Sequence, residues 1–333
     1  MPKPLLISRR SFTAGTAALG SLSGSRIAFA QSGKPSFNFG TAVDATSFLP
    51  VYVANARTWK EQGLNLEITA FRGDAECAQA LASDSIDVSL QSVDGLINLI
   101  QSGQPIKAFY AGFHQADFSW MSQPAVKTWD DLKGKTIGVS QTGGLTDGLT
   151  RHILSKHKLV PGQDIQIVQI GPSSAGYQAL KSGRLAASIQ SAPYKWMGGD
   201  EGFNELATQA RDVAPQWPKH VFLAKTSFVE KNGDVLQKFL RAHVAAIRLA
   251  RADRAIGVKA LMDRLKYNET YAGRAYDEVM PSYNERGVLP DAPYMDTFWS
   301  VEILSGTVKE AIPSAQLLDD RFIKSFDQWA PKA

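Results

Sequence analysis

Hydrophobic positions in the first third of the chain follow two different periods, which predict alternating strands and helices. Short apolar runs typical of buried strands lie at residues 37–43, 64–71 and 86–90. After the first run, apolar residues recur every three or four positions, which indicates a helix; these are Leu49, Val53, Ala56 and Trp59. A second helix is predicted over residues 75–83. This order favours a parallel sheet with right-handed crossovers and helices on its faces.

The same pattern recurs about 99 residues further along the chain. Residues 180–191 repeat residues 81–92, with identities that include Gln91/Gln190 and Ser92/Ser191. The second copy predicts strands at 136–140, 165–170 and 185–189, a helix containing Leu145, Leu149 and Ile153, and another helix over 174–182. A repeat of this length is too long for a solenoid unit. The sequence therefore predicts two α/β lobes that face each other.

The region after the second copy contains no third repeat. A strand is predicted at 221–224, followed by helices at 234–250, 257–266, 268–283, 294–311 and 321–329. We expect these helices to return to the first lobe, with two crossing segments near 113–118 and 217–222. The expected division is residues 31–116 plus 222–333 for one lobe and residues 117–221 for the other.

Residues 1–30 have the three parts of an export signal. A basic region with Arg9 and Arg10 precedes a mildly apolar run that ends in Ala28-Phe29-Ala30. The paired arginines resemble a twin-arginine signal, so we expect a mature start near Gln31 and a soluble periplasmic product. The four bases of this segment leave 32 of the 36 basic residues to balance 32 acidic ones. The mature chain is neutral, which argues against a nucleic-acid partner.

The candidate binding residues lie in the loops that follow the predicted strands, where ligands bind to open α/β sheets. These loops are rich in hydroxyls, amides and glycines, and they contain Asp44, Ser47, Phe48, Gly73, Asp74, Gln91, Ser92, Thr142, Gly143, Gly144, Thr146, Ser173, Ser174, Gln190 and Ser191. His114, at the end of a predicted strand, and Tyr194, as an apolar wall, complete the set.

The turn at residues 142–146 is the sharpest candidate. Its glycines allow the backbone to approach a ligand, and the helix that follows offers its positive end to an oxyanion. The alternative interpretation is a helix start capped by Thr142, with glycines that serve the turn alone. The Gln-Ser pairs have an equivalent alternative, as polar residues that end buried strands.

Catalytic and metal motifs are missing from the sequence. The five histidines form no H-E-x-x-H motif, and the Ser173-Ser174 segment lacks the glycines of a nucleophile elbow. Cys77, the only cysteine, excludes a disulfide framework and a thiolate metal cage. We therefore expect a binding protein with no cofactor and no metal, and not an enzyme.

Three segments of the sequence resemble a known family. They are Trp129-Asp-Asp-Leu-Lys-Gly-Lys-Thr-Ile-Gly-Val139, Pro50-Val-Tyr-Val-Ala54 and Phe239-Leu-Arg-Ala-His-Val-Ala-Ala246. Together they are similar to the SsuA/THI5-like (NMT1) solute-binding proteins of nitrate, sulfonate, taurine and pyrimidine-precursor ABC importers. The resemblance implies a two-lobed type II periplasmic-binding-protein fold that closes on its ligand about a hinge. It also implies a monomer that delivers a small-molecule solute to an inner-membrane ABC permease.

The sequence departs from the family pattern near the second-lobe site. Ala186 stands where the family commonly has an acid, and Ser191-Ala-Pro-Tyr194 replaces Trp-Glu-Pro-Tyr. We expect an organic anion such as a sulfonate or carboxylate as the ligand. A pyrimidine-type or aromatic ligand, held by Phe48, Tyr177 or Tyr194, stays open. A periplasmic enzyme and a receptor-coupled solute sensor also stay open as other classes of function.

Overall fold

Two five-stranded sheets flanked by helices form the framework of the chain. A computed structural model describes residues 36–332, so the predicted export signal lies outside the described residues. In chain order the strands are β1 Phe39–Thr41, β2 Ile68–Ala70, β3 Val88–Ser92, β4 Ile106–Phe113, β5 Ser119–Ser122, β6 Thr136–Val139, β7 Gln166–Gln169, β8 Ala187–Gln190, β9 Asn204–Thr208 and β10 His220–Lys225. The first sheet has the order β2-β1-β3-β10-β4 and the second β7-β6-β8-β5-β9.

The α-helices occupy the connections between these strands and the C-terminal third. They are α1 Leu49–Val53, α2 Trp59–Glu61, α3 Asp74–Ala82, α4 Val93–Gln101, α5 Leu145–Lys156, α6 Ser173–Lys181, α7 Tyr194–Asp200, α8 Gln209–Asp212, α9 Thr226–Lys231, α10 Gly233–Ala252, α11 Arg254–Leu265, α12 Glu269–Val279, α13 Ala292–Ser305, α14 Ser314–Leu317, α15 Arg321–Lys324 and α16 Phe326–Trp329. None of the helices between residues 36 and 332 is long and apolar enough to cross a membrane.

The duplication predicted from the sequence is visible in the strand registers. Phe39 of β1 lies opposite Val88 of β3, and 98 positions later Ile137 of β6 lies opposite Ala187 of β8. Both pairs are parallel, as are β1–β2 and β6–β7. The two sheets therefore share one topology and one register, which confirms the predicted α/β class with two βαβαβ units.

Each copy needs a glycine at the same point of its first strand. A Cβ on Gly40 would lie 2.7 Å from Ile86 Cδ1, and a Cβ on Gly138 would lie 2.6 Å from Leu185 Cδ1. Ile86 and Leu185 are repeat equivalents that lie just before the third strand of each copy. Their side chains pack closely against the first strand, which explains why both copies have glycine at this position.

One strand of each sheet runs against the other four, a feature that the sequence pattern did not predict. The chain leaves the first sheet after Phe113, and β5 then inserts antiparallel between β8 and β9. On its return, β10 inserts antiparallel between β3 and β4. Periodicity identifies a strand but not its direction, which depends here on where the chain crosses.

The C-terminal helices differ from the expected arrangement in one respect. Helices α10, α11 and α12 pack together beside the first sheet, whereas α13 packs against α5 beside the second. A Cβ on Gly148 of α5 would lie 3.3 Å from Val301 of α13, so the glycine permits this close approach. The helix predicted over 294–311 ends at Ser305, because Gly306 adopts a left-handed φ of 80°.

Candidate ligand-binding cleft

A cavity of about 420 Å³ lies among loops that follow strands of both sheets. We call it the cleft. The first sheet's side contributes Val43, Ala45, Asp74, Ala75, Ala78, Ser92, Asp94, Gly95 and Asn98, the second sheet's side contributes Ser140, Gln141, Gly143, Gly144, Leu145, Thr146 and Ser191, and Phe118, Lys219, His220 and Thr307 complete the lining. Six of the residues predicted from the sequence line it: Asp74, Ser92, Gly143, Gly144, Thr146 and Ser191. Both repeat copies therefore contribute to one cavity.

Repeat-equivalent positions make equivalent contacts on the two sides of the cleft. The Ser92 amide donates to Asp74 Oδ1 at 2.9 Å, and its hydroxyl donates to Oδ2 at 2.9 Å. In the second copy the Ser191 amide donates to Ser173 Oγ at 3.1 Å, and the two hydroxyls are 3.1 Å apart. Asp74 and Ser173 thus accept equivalent hydrogen bonds from a serine amide, but only Asp74 places a carboxyl group beside the cleft.

The two glutamines that precede these serines are buried and do not line the cleft. Gln91 Nε2 donates to Ser89 Oγ at 2.8 Å. Gln190, with its amide oriented to satisfy both atoms, donates to the Ser173 carbonyl at 2.7 Å and accepts from the Tyr177 amide at 3.2 Å. These contacts fix the strand end and the start of α6. Their position agrees with the alternative interpretation, in which the glutamines are polar residues that end buried strands.

The glycine turn lines the cleft, but its own amides already have acceptors. Gly143 N donates to Asp147 Oδ2 at 2.8 Å, and Gly144 N donates to the Gln141 carbonyl at 3.3 Å. The N-cap of α5 is Gly144, without a side-chain cap, so Thr142 does not cap the helix. Within residues 36–332, the backbone amides of Leu145 and Thr146 donate to no hydrogen-bond acceptor. These two amides are the donors that the helix start offers to a ligand.

Carboxyl groups cluster on the first sheet's side of the cleft. Burial raises the pKa of Asp74, although bonds from Ser92 oppose the shift. Burial, together with the charge of Asp74, raises the pKa of Asp94 to about 6. Asp94 hydrogen-bonds to Glu302 of α13, whose pKa is raised to about 9 by burial and by the charge of Asp94. This pair therefore shares a proton at neutral pH.

The residues that line the cleft at the crossing segments were not among the predicted site residues. Lys219 forms an ion pair with buried Asp117, and its Nζ lies 4.6 Å from the centre of the Phe118 ring. Burial holds the pKa of His220 well below its usual value, so the ring is neutral, and its buried Nδ1 has no partner among the described residues. The predicted crossing at 217–222 was the available signal, because crossing segments border an interlobe cavity.

Several predicted residues lie near the cleft without lining it. Asp44 forms a 2.9 Å ion pair with Arg264, and the Ser47 carbonyl accepts a 3.0 Å hydrogen bond from Tyr283. Phe48 is fully buried with its ring 4.7 Å from that of His220.

The remaining predicted residues lie at helix starts, in the glycine turn or elsewhere. Gly73 is the N-cap of α3, Ser174 is half-buried in the first turn of α6, and the Thr142 amide donates to Gln169. Tyr194 packs against Tyr177 at 5.7 Å. His114 lines a different cavity, where its Nε2 lies 2.8 Å from the Val288 carbonyl. Their part in ligand binding stays a prediction.

The described residues contain neither a metal-binding cluster nor a reactive thiol. Among residues 36–332 no group of three histidine, cysteine, aspartate or glutamate side chains is arranged to hold a metal ion. Burial raises the pKa of the Cys77 thiol to about 12, so it is not a thiolate nucleophile at neutral pH. The cleft offers hydroxyls, free amides, carboxyls, the ion-paired ammonium of Lys219 and one neutral imidazole, which are groups typical of a polar solute site.

These features define the class: a two-lobed α/β protein with the periplasmic-binding-protein fold. Similarity to known proteins makes the family specific. Residues 45–254 match the profile described as NMT1/THI5 like. The chain belongs to the NMT1/THI5-like family, as the sequence resemblance predicted.

Individual relatives agree with this assignment. The putative binding protein YtlA of Bacillus subtilis is 27% identical over 201 residues, which cover 59% of this chain and 60% of that protein. Among solved structures, a ligand-binding component of an ABC-type import system from Staphylococcus aureus, with zinc bound, has a TM-score of 0.73 at 16% identity and covers 86% and 97% of the two chains. The aliphatic sulphonate binding protein SsuA from Escherichia coli has a TM-score of 0.70 at 18% identity and covers 84% and 90%. At these identities the structural likeness shows the fold.

Proposed function

We propose that the protein is the periplasmic substrate-binding subunit of an ABC importer, and that it captures a small polar solute in the cleft and delivers it to an inner-membrane permease. The observation that carries the proposal is the single cavity lined by Ser92 and Ser191, equivalent residues of the two copies. The chain crosses between the sheets at 114–118 and 209–219, as hinge closure around a ligand requires. Family membership and relatives named as binding proteins support the same role.

The organisation of the whole chain follows from this role. We propose that residues 1–30 are a twin-arginine export signal and that the mature protein acts as a monomer. One lobe comprises residues 31–116 and 222–333, with α13 reaching across to α5, and the other comprises residues 117–221. Hinge closure would bring the Ser92 and Ser191 sides together.

The charges of the cleft favour a particular kind of organic anion. On the second side, the free amides of Leu145 and Thr146 at the start of α5 suit a sulfonate or carboxylate group. On the first side, the Asp74 and Asp94 carboxyls suit a group that donates hydrogen bonds. We therefore propose a small acid that carries an amine or hydroxyl at its other end.

An aromatic ligand has less support from the geometry. Stacking was expected to need Phe48, Tyr177 or Tyr194, and none of these rings lines the cleft. Phe48 packs on His220, and Tyr177 packs on Tyr194. Among the described residues, Phe118 is the only phenylalanine, tyrosine or tryptophan that lines the cleft, and it lies in a crossing segment.

The ligand class can be tested with three matched compounds: ethanesulfonate, 2-hydroxyethanesulfonate and 2-aminoethanesulfonate. A ligand at 100 times its dissociation constant adds about 2.7 kcal/mol of stability, which a thermal-shift assay detects. We expect the two substituted compounds to stabilise the protein more than ethanesulfonate. Asp94→Asn is expected to remove the advantage of the amine. Equal stabilisation by all three compounds would contradict the assigned ligand class.

The site itself is tested by filling the cleft. Ser191→Leu is expected to abolish ligand-induced stabilisation while the unliganded protein still folds, because Ser191 is only half-buried. Ser314→Leu, at an exposed position in α14, is the control and should leave stabilisation intact. Binding that survives Ser191→Leu would show that the cleft is not the site. NMR spectra of the solute after incubation separate binding from catalysis, since a binding protein returns it unchanged.

A further inference from the structure

Side chains of α7 and α12 contact each other outside the cleft, although the two helices belong to different sheets. Helix α7 follows β8 and packs against β5 and β9 of the second sheet. Helix α12 packs against α11, beside the first sheet, and against the 3₁₀ helix Thr46–Phe48 that follows β1. Contacts between α7 and α12 therefore join the two sides of the cleft.

The inner end of this contact is a buried ion pair at the crossing segments. Lys195 of α7 is 7% exposed and pairs with Glu278 of α12. Its Nζ also donates to the Asp117 carbonyl, in the first crossing segment, at 2.8 Å. The ion pair therefore lies next to the hinge that the proposed function requires.

The outer end of the contact combines charge with aromatic stacking. Asp200 Oδ2 accepts a 3.0 Å hydrogen bond from the Tyr271 hydroxyl, and Asp200 Oδ1 lies 3.4 Å from Arg274 Nη1. The rings of Trp196 and Tyr271 are stacked, with centres 6.4 Å apart and planes inclined by 16°. The Arg274 guanidinium lies 5.0 Å from the centre of the Trp196 ring. We call these four residues, Trp196, Asp200, Tyr271 and Arg274, the clasp.

The spacing of the clasp residues places each pair on one face of its helix. Trp196 and Asp200 are four positions apart in α7, and Tyr271 and Arg274 are three apart in α12. With a rise of about 1.5 Å per residue, Tyr271 lies about 10 Å along α12 from Glu278. The displacement produced by a rotation grows with distance from its axis. Separation of the two sides would therefore open the clasp more than the inner ion pair.

We propose that the clasp limits how far the two sides of the cleft separate before the solute binds, and that it thereby raises the affinity for a solute that it does not touch. None of its four residues lines the cleft. A solute held from both sides binds the form in which the sides are close, so its apparent dissociation constant rises when that form is less populated. The effect on affinity rests on the proposed function, whereas the effect on the unliganded protein does not.

The first test measures the distance between the two sides without any solute. Spin labels are attached to Gln79→Cys and Gln178→Cys, exposed and repeat-equivalent positions in α3 and α6, while buried Cys77 stays unlabelled. Arg274→Asp places a carboxylate opposite Asp200, so double electron–electron resonance should show a longer mean distance than in the parent. Combining Asp200→Arg with Arg274→Asp restores opposite charges and should restore the parent distance. An unchanged distance in Arg274→Asp, or an increase that the exchange does not reverse, would overturn the proposal.

The second test is calorimetric titration of the same proteins with 2-aminoethanesulfonate. Arg274→Asp is expected to raise Kd about two- to fivefold, as the loss of an exposed ion pair implies, and the charge exchange should reverse this rise. Arg254→Asp is the matched control, because it breaks a 2.8 Å ion pair with Asp277 of the same helix, α12, but within the first sheet's side. It should change neither the label distance nor Kd. Equal effects of Arg254→Asp and Arg274→Asp would contradict a role specific to the clasp.

The two tests distinguish failure of the clasp from failure of the proposed function. If the label distance responds as expected and the compound does not bind, the clasp is supported and the assigned ligand class is wrong. If the compound binds and Arg274→Asp changes neither distance nor Kd, the clasp is wrong and the proposed function is unaffected. The substituted clasp residues Asp200 and Arg274 are exposed, and thermal denaturation of each variant without solute verifies that it is folded.

Discussion

Replacing Glu302 by glutamine is expected to change how the stability of the protein depends on pH. Glu302 is 1% exposed on α13, in the C-terminal region, and hydrogen-bonds to Asp94 of α4, which directly follows β3 of the first sheet. Burial and the charge of Asp94 raise its pKa to about 9. At a pH above the ordinary pKa of glutamate, the unfolded chain has lost the Glu302 proton, whereas the folded protein keeps it. The stabilisation from this group is complete below the unfolded pKa and disappears as the pH rises through the folded one.

The size of the effect follows from proton linkage. A difference of one bound proton between the folded and unfolded states changes the free energy of unfolding by about 1.4 kcal/mol per pH unit. Between pH 6.5 and 8.5, above the pKa of about 6 for Asp94, the wild type is expected to lose about 2–3 kcal/mol through Glu302. Glu302→Gln has no proton to lose, and its amide donates to Asp94. For a chain of this size the difference corresponds to about 5 °C in Tm.

The assay is thermal unfolding of both proteins across this pH range. We expect the Tm of Glu302→Gln, relative to wild type, to rise with pH. Glu310→Gln, an exposed acid five residues past the end of α13, is the control and should follow the wild type. Parallel Tm curves for wild type and Glu302→Gln would refute the proton-sharing pair.

Three further outcomes are expected. Gly144→Asp places a carboxylate at the N-cap of α5, where a new Cβ would have no neighbouring atom within 3.4 Å. The free energy of unfolding should rise by a few tenths of a kcal/mol, and calorimetry should show that the affinity for acidic ligands is lost. A gain in that affinity would contradict the anion site. Gly138→Ala should destabilise the protein by about 1–3 kcal/mol in denaturant unfolding, because the added Cβ would contact Leu185. Gly199→Ala, at an exposed and unhindered position in α7, should stabilise the protein slightly. Equal effects of the two substitutions would contradict the packing argument. Cys77 should resist alkylation by iodoacetamide at pH 8 until the protein unfolds, since its pKa is about 12 and its side chain is buried; mass spectrometry of the native protein detects the opposite result.

Sequence patterns predicted the parts of the fold that depend on local order. The period of apolar residues located β1, α3, β3 and their equivalents, because burial on one face dictates that period. The repeat then determined that both sheets have the same register. The antiparallel insertion of β5 and β10 escaped prediction, since it depends on pairing between strands far apart in the chain.

The residues that line the cleft were predicted less completely than the strands and helices, because some of their contacts join distant parts of the chain. Asp74 and Ser191 follow predicted strands, so the rule for open α/β sheets found them. Gln91 and Gln190 follow the same rule, but the amide nitrogens of both side chains donate hydrogen bonds inside the protein. The proton-sharing pair of Asp94 and Glu302 joins residues from distant parts of the chain, and no local pattern encodes such a contact.

The differences between the two copies would allow a duplicated fold to recognise the proposed solute, which has two unlike ends. Position 74 is aspartate in the first copy, and its equivalent, Ser173, makes the same backbone contact without a charge. Asp94 likewise has Pro193 as its equivalent, so both acids of the cleft belong to the first copy. The glycine turn before α5, with its free helix amides, belongs to the second. Identical copies would present the same chemistry from both sides, and a solute with an anionic end and a hydrogen-bond-donating end would then meet only one suitable wall.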